Sequence, residues 1–136
     1  KRNEFWVSYF DLKIVTPTKS IDFESINYVR CPGLEGLFGI MSNHQKGIFA
    51  LDIGEIKVDN KKSSSFYSTS GGYAEFKDNK LLLLLETVES KSEIDKMRAE
   101  AALKRANERL KSNEGDETRA KASLMRAQNR LKIISR

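Results

Sequence analysis

The hydrophobic period of this chain changes at Ser90, from two residues to the spacing of a helix, and that change limits what it can fold into. Before it, Phe10, Leu12 and Ile14 share one face of an alternating run, and Asp11, Lys13 and Val15 share the other. After it, Ala99, Ala102, Leu103, Ala106 and Leu110 lie along one helical stripe, and Ala120, Leu124, Ala127, Leu131 and Ile134 along a second. Side chains repeat every two residues in a strand and about every 3.6 in a helix, so neither pattern can serve the other element. The expected class is α+β by segments. An N-terminal β-sandwich or flattened barrel of about 8–10 short strands precedes a C-terminal antiparallel two-helix hairpin.

The strands are read from their punctuation. Phe5 to Val15 is a half-buried strand, ended by Thr16-Pro17-Thr18-Lys19 because proline fixes its own φ and donates nothing to a ladder. Ile21, Phe23, Ile26, Tyr28 and Cys31 continue as two short strands or one bent one, up to the turn cluster Pro32-Gly33-Leu34-Glu35-Gly36. Leu37 to Met41 leads into the polar loop Ser42-Asn43-His44-Gln45. Gly47 to Ile53 and Glu55 to Val58 flank a break at Gly54; Phe66 to Thr69 and Tyr73 to Phe76 flank Gly71-Gly72. That glycine pair reads as a bulge or tight crossing rather than a phosphate loop, since no helix N-terminus follows it. Asp78-Asn79 is a two-residue hairpin turn. The leucine run within Lys80 to Val88 predicts a strand buried on both faces.

The helices carry their own signals. Ser92 with Asp95 three residues on resembles a capping box, opening the stretch Ile94-Asp95-Lys96-Met97-Arg98-Ala99. Ser112-Asn113-Glu114-Gly115-Asp116 separates the stripes, with Gly115 suited to a left-handed C-terminal position and Asp116 to capping the next helix. So short a connection makes the helices antiparallel neighbours. The division expected is residues 1–89 as the sandwich and 90–136 as the hairpin. Both stripes are mostly alanine, and at about 25 cal/mol per Å² of apolar burial they gain far less than leucine would. The hairpin should be well formed but weakly committed to any one partner.

Charge is unevenly spread over the 136 residues. Residues 1–92 hold 12 basic and 12 acidic side chains, residues 93–136 hold 12 and 7, so the whole net +5 sits in the hairpin, which should seek an anionic partner. The single cysteine, Cys31, excludes an internal disulfide, fits a reducing compartment and reads as a packing residue. No run approaches the about 20 apolar residues of a membrane span, and the start of the chain has no signal-peptide pattern. Catalysis is not expected. His44 is the only histidine, and no Gly-x-Ser-x-Gly, His-Glu-x-x-His, Cys-x-x-Cys or Walker-type loop occurs, nor any metal-ligand set.

Arg98 and Arg105 are two helical turns apart, and Arg126 and Arg130 one turn apart, so each pair shares a face. Folded antiparallel, the four guanidiniums would converge near Asp95, where they read either as solvated charges or as a bidentate grip on phosphate oxygens.

Five pieces in order resemble one family: Leu12-Lys13-Ile14-Val15-Thr16-Pro17; Phe38-Gly39-Ile40 followed by His44; Thr69-Ser70-Gly71-Gly72-Tyr73 with Glu75; Ile94-Asp95-Lys96-Met97-Arg98-Ala99; and Arg126-Ala127-Gln128-Asn129-Arg130-Leu131. The family is the epsilon subunit of the F-type ATP synthase, called delta in mitochondria. Ser42-Asn43 stands where its members commonly carry Pro-Gly. The resemblance implies a non-catalytic rotor subunit at the cytoplasmic face of the bacterial inner membrane, peripheral and not inserted. Its sandwich would dock on the gamma subunit and the c-ring. Its hairpin would move, either resting on the sandwich or extending to meet an acidic loop of the beta subunit and block ATP hydrolysis. It also implies ATP as a regulatory ligand of the folded-down state, with no cofactor required. Carried over by position, the contacts are Glu89, Asp95, Arg98, Ala99, Arg105, Arg126 and Arg130, the arginines toward phosphate and the carboxylates away from it. Two rival readings are a nucleic-acid-binding hairpin and a stand-alone nucleotide sensor. The first is weakened because the hairpin has no aromatic to stack bases and interleaves seven acidic residues.

Overall fold

The computed structural model describes residues 8–112 and 115–136; the expected strand residues Phe5 to Val7 and the connection residues Asn113 and Glu114 lie outside the described residues. The strands are β1 (Phe10–Val15), β2 (Ser20–Gly33), β3 (Gly36–Met41), β4 (Gly47–Leu51), β5 (Gly54–Asn60), β6 (Ser64–Thr69), β7 (Gly72–Lys77), β8 (Lys80–Leu85) and β9 (Val88–Ser90). A single 3-10 turn, Lys91–Glu93, leads to helices α1 (Lys96–Ser112) and α2 (Glu117–Ile134).

Closure of the sheet depends on β2. The ladder runs β1-β8-β7-β4-β2-β5-β6-β9 with β3 on β2, and β1 also pairs with β2, so the sheet folds over on itself into a sandwich. The 14 residues of β2 form one bent strand. Its first half pairs with β1 and its second half with β3 and β5, and Ser25 at φ +57 marks the bend. Between the layers lie Leu12, Ile14, Val29, Ile40, Ile56, Phe76 and Leu83, all almost fully buried. Cys31 is buried among them, and burial pushes its thiol up to about 12, in keeping with a packing role.

Turn chemistry is as expected. Asp78 and Asn79 take φ +52 and +56, the primed turn that matches strand twist. Asn43 takes φ +63 and its N–H donates to Asn79 Oδ1 at 2.9 Å, so this loop turns without a glycine. At Gly72, φ is +149 and an added Cβ would lie 2.0 Å from the Leu84 carbonyl oxygen.

The leucine run is not a strand buried on both faces. Leu81, Leu83 and Leu85 are buried, whereas Leu84 is 46% exposed, because only one face of β8 meets the other layer. The expected strand also divides at Glu86-Thr87: β8 pairs with β7 and β1, and β9 pairs with β6.

Candidate functional site

Asp95 caps α1. Its carboxylate accepts the Arg98 N–H at 3.1 Å, and its carbonyl accepts the Ala99 N–H at 3.0 Å. The expected box of Ser92 with Asp95 forms two residues earlier: Glu93 accepts the Ser90 N–H at 2.9 Å and the Ser90 hydroxyl at 3.0 Å. Ser90 and Glu93 share the same spacing, and Lys19, 2.6 Å from Glu93, holds that carboxylate in place. The Lys19 ammonium and then the Ser90 N–H lower the Glu93 carboxyl to about 2. Asp116 caps α2 by accepting the Thr118 and Arg119 N–H groups at 2.9 and 3.3 Å, and Gly115 before it takes φ +77.

The helices meet along the alanine seam, where Ala99, Ala106, Ala120 and Ala127 are all buried and Leu103, Leu124 and Leu131 flank them half-buried. The second helix has a further buried face that the spacing did not suggest. Asn129 and Ile133 point at β5 and β6, so α2 packs on α1 and on the sandwich at once.

This docking encloses a cleft of about 300 Å³ between β9, the start of α1 and the late part of α2. Six of the seven predicted residues line it: Glu89, Asp95, Arg98, Ala99, Arg105 and Arg130, joined by Glu93, Ile94 and Ala102. Arg130 Nε donates to Glu89 Oε1 at 2.7 Å. The seventh, Arg126, lies in an adjoining groove of about 280 Å³ between the helices, with Arg105, Arg109, Ser123 and Arg130. The four guanidiniums therefore do not all converge at Asp95. Arg98, Arg105 and Arg130 do, while Arg126 donates to Ser123 Oγ at 3.1 Å one step further along. Arg109 was missed; it follows Arg105 by four residues, a signal the helical period could have supplied.

The two spaces share Ala102, Arg105 and Arg130 and form one polarised channel. Its β9 end holds Glu89, Glu93 and Asp95, and its inter-helix end holds four arginines with no carboxylate lining it. Such a channel can bind an elongated ligand with a hydrogen-bonding, uncharged head and an anionic tail, the tail lying on forked guanidiniums. His44 is elsewhere, edge-on to Phe49 and Phe76 at 5.6 and 5.7 Å between centroids.

The family model for the ATP synthase, Delta/Epsilon chain, beta-sandwich domain matches residues 9–91, and that for the long alpha-helix domain matches residues 92–135. The chain belongs to the ATP synthase delta/epsilon chain family. It is similar to the ATP synthase epsilon chain of Pelotomaculum thermopropionicum, 39% identical over 99 residues covering 73% of this chain and 74% of that one. The ATP synthase epsilon chain of Syntrophomonas wolfei is 40% identical over 104 residues, covering 76% of each. Among solved structures, a chain of the Euglena gracilis mitochondrial ATP synthase, OSCP/F1/c-ring, shares the fold at TM-score 0.70 and 23% identity over 93% of this chain and 78% of that one. One from the Tetrahymena thermophila central stalk/c-ring shares it at 0.63 and 17%, over 93% and 97%. The epsilon-subunit resemblance carried by the five sequence pieces therefore holds across both the sandwich and the hairpin.

Proposed function

We infer that this chain is a non-catalytic central-stalk subunit that couples the gamma subunit to the c-ring, and that its hairpin restrains ATP hydrolysis when it leaves the sandwich. ATP binds the folded-down hairpin, its base toward Glu89 and Asp95 and its phosphates on Arg98, Arg105, Arg126 and Arg130. The observation that carries this reading is the docking of α2, which brings Arg130 against Glu89 and closes the cleft over the Ile94 to Ala99 stretch. Exposed large apolar side chains support the stalk contacts: Leu34, Leu37 and Met41 around the β2–β3 hairpin, and Ile48, Tyr73 and Leu84 on the outer face of β4, β7 and β8. Within the division at residue 89, the sandwich provides the docking surfaces and the hairpin the control.

Calorimetric titration with ATP tests the ligand. Binding is expected for the unmutated chain and a loss of at least about tenfold in affinity for Arg98→Ala and for Arg126→Ala, the scale of one charge-assisted contact. Copurification with the gamma subunit tests the stalk role, with Tyr73→Arg expected to abolish it while leaving the ATP heat intact. No heat from the unmutated chain removes the ligand and leaves the stalk role.

A further inference from the structure

Glu55, at the start of β5, is the one charged side chain among the described residues that is buried, at 4% exposure. From β2, Arg30 Nη2 donates to its Oε1 at 2.8 Å. Just beyond α2, Arg136 donates from Nε to Oε2 and from Nη2 to Oε1, both at 2.8 Å, one bond to each oxygen in a forked pair. The same guanidinium lies 4.8 Å from the centroid of Phe66 on β6. Three and seven residues back along this face, Ile133 is fully buried and Asn129 Nδ2 donates to the Gly54 carbonyl at 2.6 Å and to Ser68 Oγ at 2.9 Å. Neither Glu55, Asn129, Ile133 nor Arg136 lines the arginine channel.

We propose that Glu55 is a docking site for a guanidinium group of this same chain. Arg136 fills it, and with Asn129 beside it the catch holds the hairpin on the sandwich without any ligand in the channel. If the hairpin lifts, Glu55 keeps a single bond from Arg30, whose own Nε has no partner among the described residues. Lifting breaks both bonds of the forked pair, two of the three that Glu55 accepts, and such charge-assisted bonds are stronger than neutral ones. Lifting also removes the side-chain donor on the Gly54 carbonyl and returns Ile133 to water. The folded-down form is thus favoured from the sandwich side, at a place separate from the nucleotide contacts. ATP then adds to a hairpin that is already seated. The catch rests on the reading that the hairpin is free to leave.

The test is amide hydrogen exchange of the full chain without nucleotide, comparing the unmutated protein with Arg136→Gln, Glu55→Gln and the double variant. Arg136 is past the helix and its side chain is 39% exposed, so its replacement leaves the core intact. Exchange through α1 and α2 should quicken about tenfold or more in each single variant, with sandwich amides unchanged and the double variant no faster than the faster single. Molar salt should quicken hairpin exchange in the unmutated chain and have little effect on the variants. Unchanged hairpin exchange in Arg136→Gln overturns the catch, as does equal quickening of the sandwich. ATP titration of the same proteins separates this from the nucleotide reading. Faster exchange in Arg136→Gln with no ATP heat leaves the catch and removes the ligand; ATP heat with unchanged exchange does the reverse.

Discussion

At Gly72 the backbone leaves no room for any side chain. Its φ of +149 is one that L residues rarely adopt, and a methyl there would press on the Leu84 carbonyl oxygen at 2.0 Å and the Leu85 Cα at 2.9 Å. Both obstacles are backbone of β8, the strand to which β7 is hydrogen-bonded, so neither can rotate away. Gly72→Ala should therefore cost more than about 3 kcal/mol, combining backbone strain with overpacking. Thermal unfolding followed by circular dichroism should show a collapsed or absent transition, and a melting temperature within a few degrees of the parent would contradict the contact. Gly115 makes the contrast. It too has positive φ, at +77, but among the described residues a Cβ there would meet nothing within 4 Å, so an alanine at that position meets backbone strain and no clash with them.

Helix α2 is the element whose role depends on a carboxylate of the sandwich. Burial pushes Glu55 upward, but the hydrogen bond from Arg136 and the charges of Lys132, Arg136 and Arg30 outweigh it, and its carboxyl ends below the usual range. Lys19 and the Ser90 N–H lower Glu93 as well, to about 2, but neither partner is on α2, so that shift favours the fold and not the docking. Glu55 is easier to ionise in the docked form, so it binds fewer protons there than in the lifted or unfolded form. Its contribution is present above the ordinary carboxylate value of about 4.3 and fades as pH falls toward the lowered value. The Asn129 and Ile133 amide shifts should hold steady from pH 7 to about 5 and move toward an undocked position by about pH 3, less so in Glu55→Gln. Shifts that stay fixed to pH 3 would rule out this contribution. The same helix marks the limit of what the sequence discloses. Its cap, its alanine seam and the arginine spacing were legible because each depends on neighbours within a turn or two. The face made by Asn129, Ile133 and Arg136 was not, because a polar, an apolar and a charged residue form no hydrophobic stripe. Only the partners on β5 and β6 give them a common purpose. Leu84 failed for the same reason in reverse: a leucine run cannot report which layer is missing on one side.

Across the whole molecule, if the hairpin is free to leave as proposed, a small alanine seam, the proposed catch on the sandwich and the cationic channel would act on one equilibrium, its seating. Burying four alanines adds little, so the seam alone cannot decide it. The channel exists only when α2 is seated, since Arg130 comes from α2 while Glu89 comes from β9 and Asp95 and Arg98 from the start of α1. A ligand of that channel must then bind the seated form alone, and it stabilises that form by RT ln(1 + [L]/Kd), about 2.7 kcal/mol at a hundredfold excess over Kd. ATP should accordingly slow hydrogen exchange throughout α1 and α2 by about a hundredfold at that excess, with sandwich amides hardly affected. Arg105 is exposed and bordered by both halves of the channel, and no ion pair of the described residues includes it. Arg105→Ala should therefore leave exchange in the absence of ATP as it was and remove most of the protection that ATP confers. If ATP protects the sandwich as strongly as the hairpin, binding is not linked to seating, and the channel is a passive anion site on a hairpin held by other contacts.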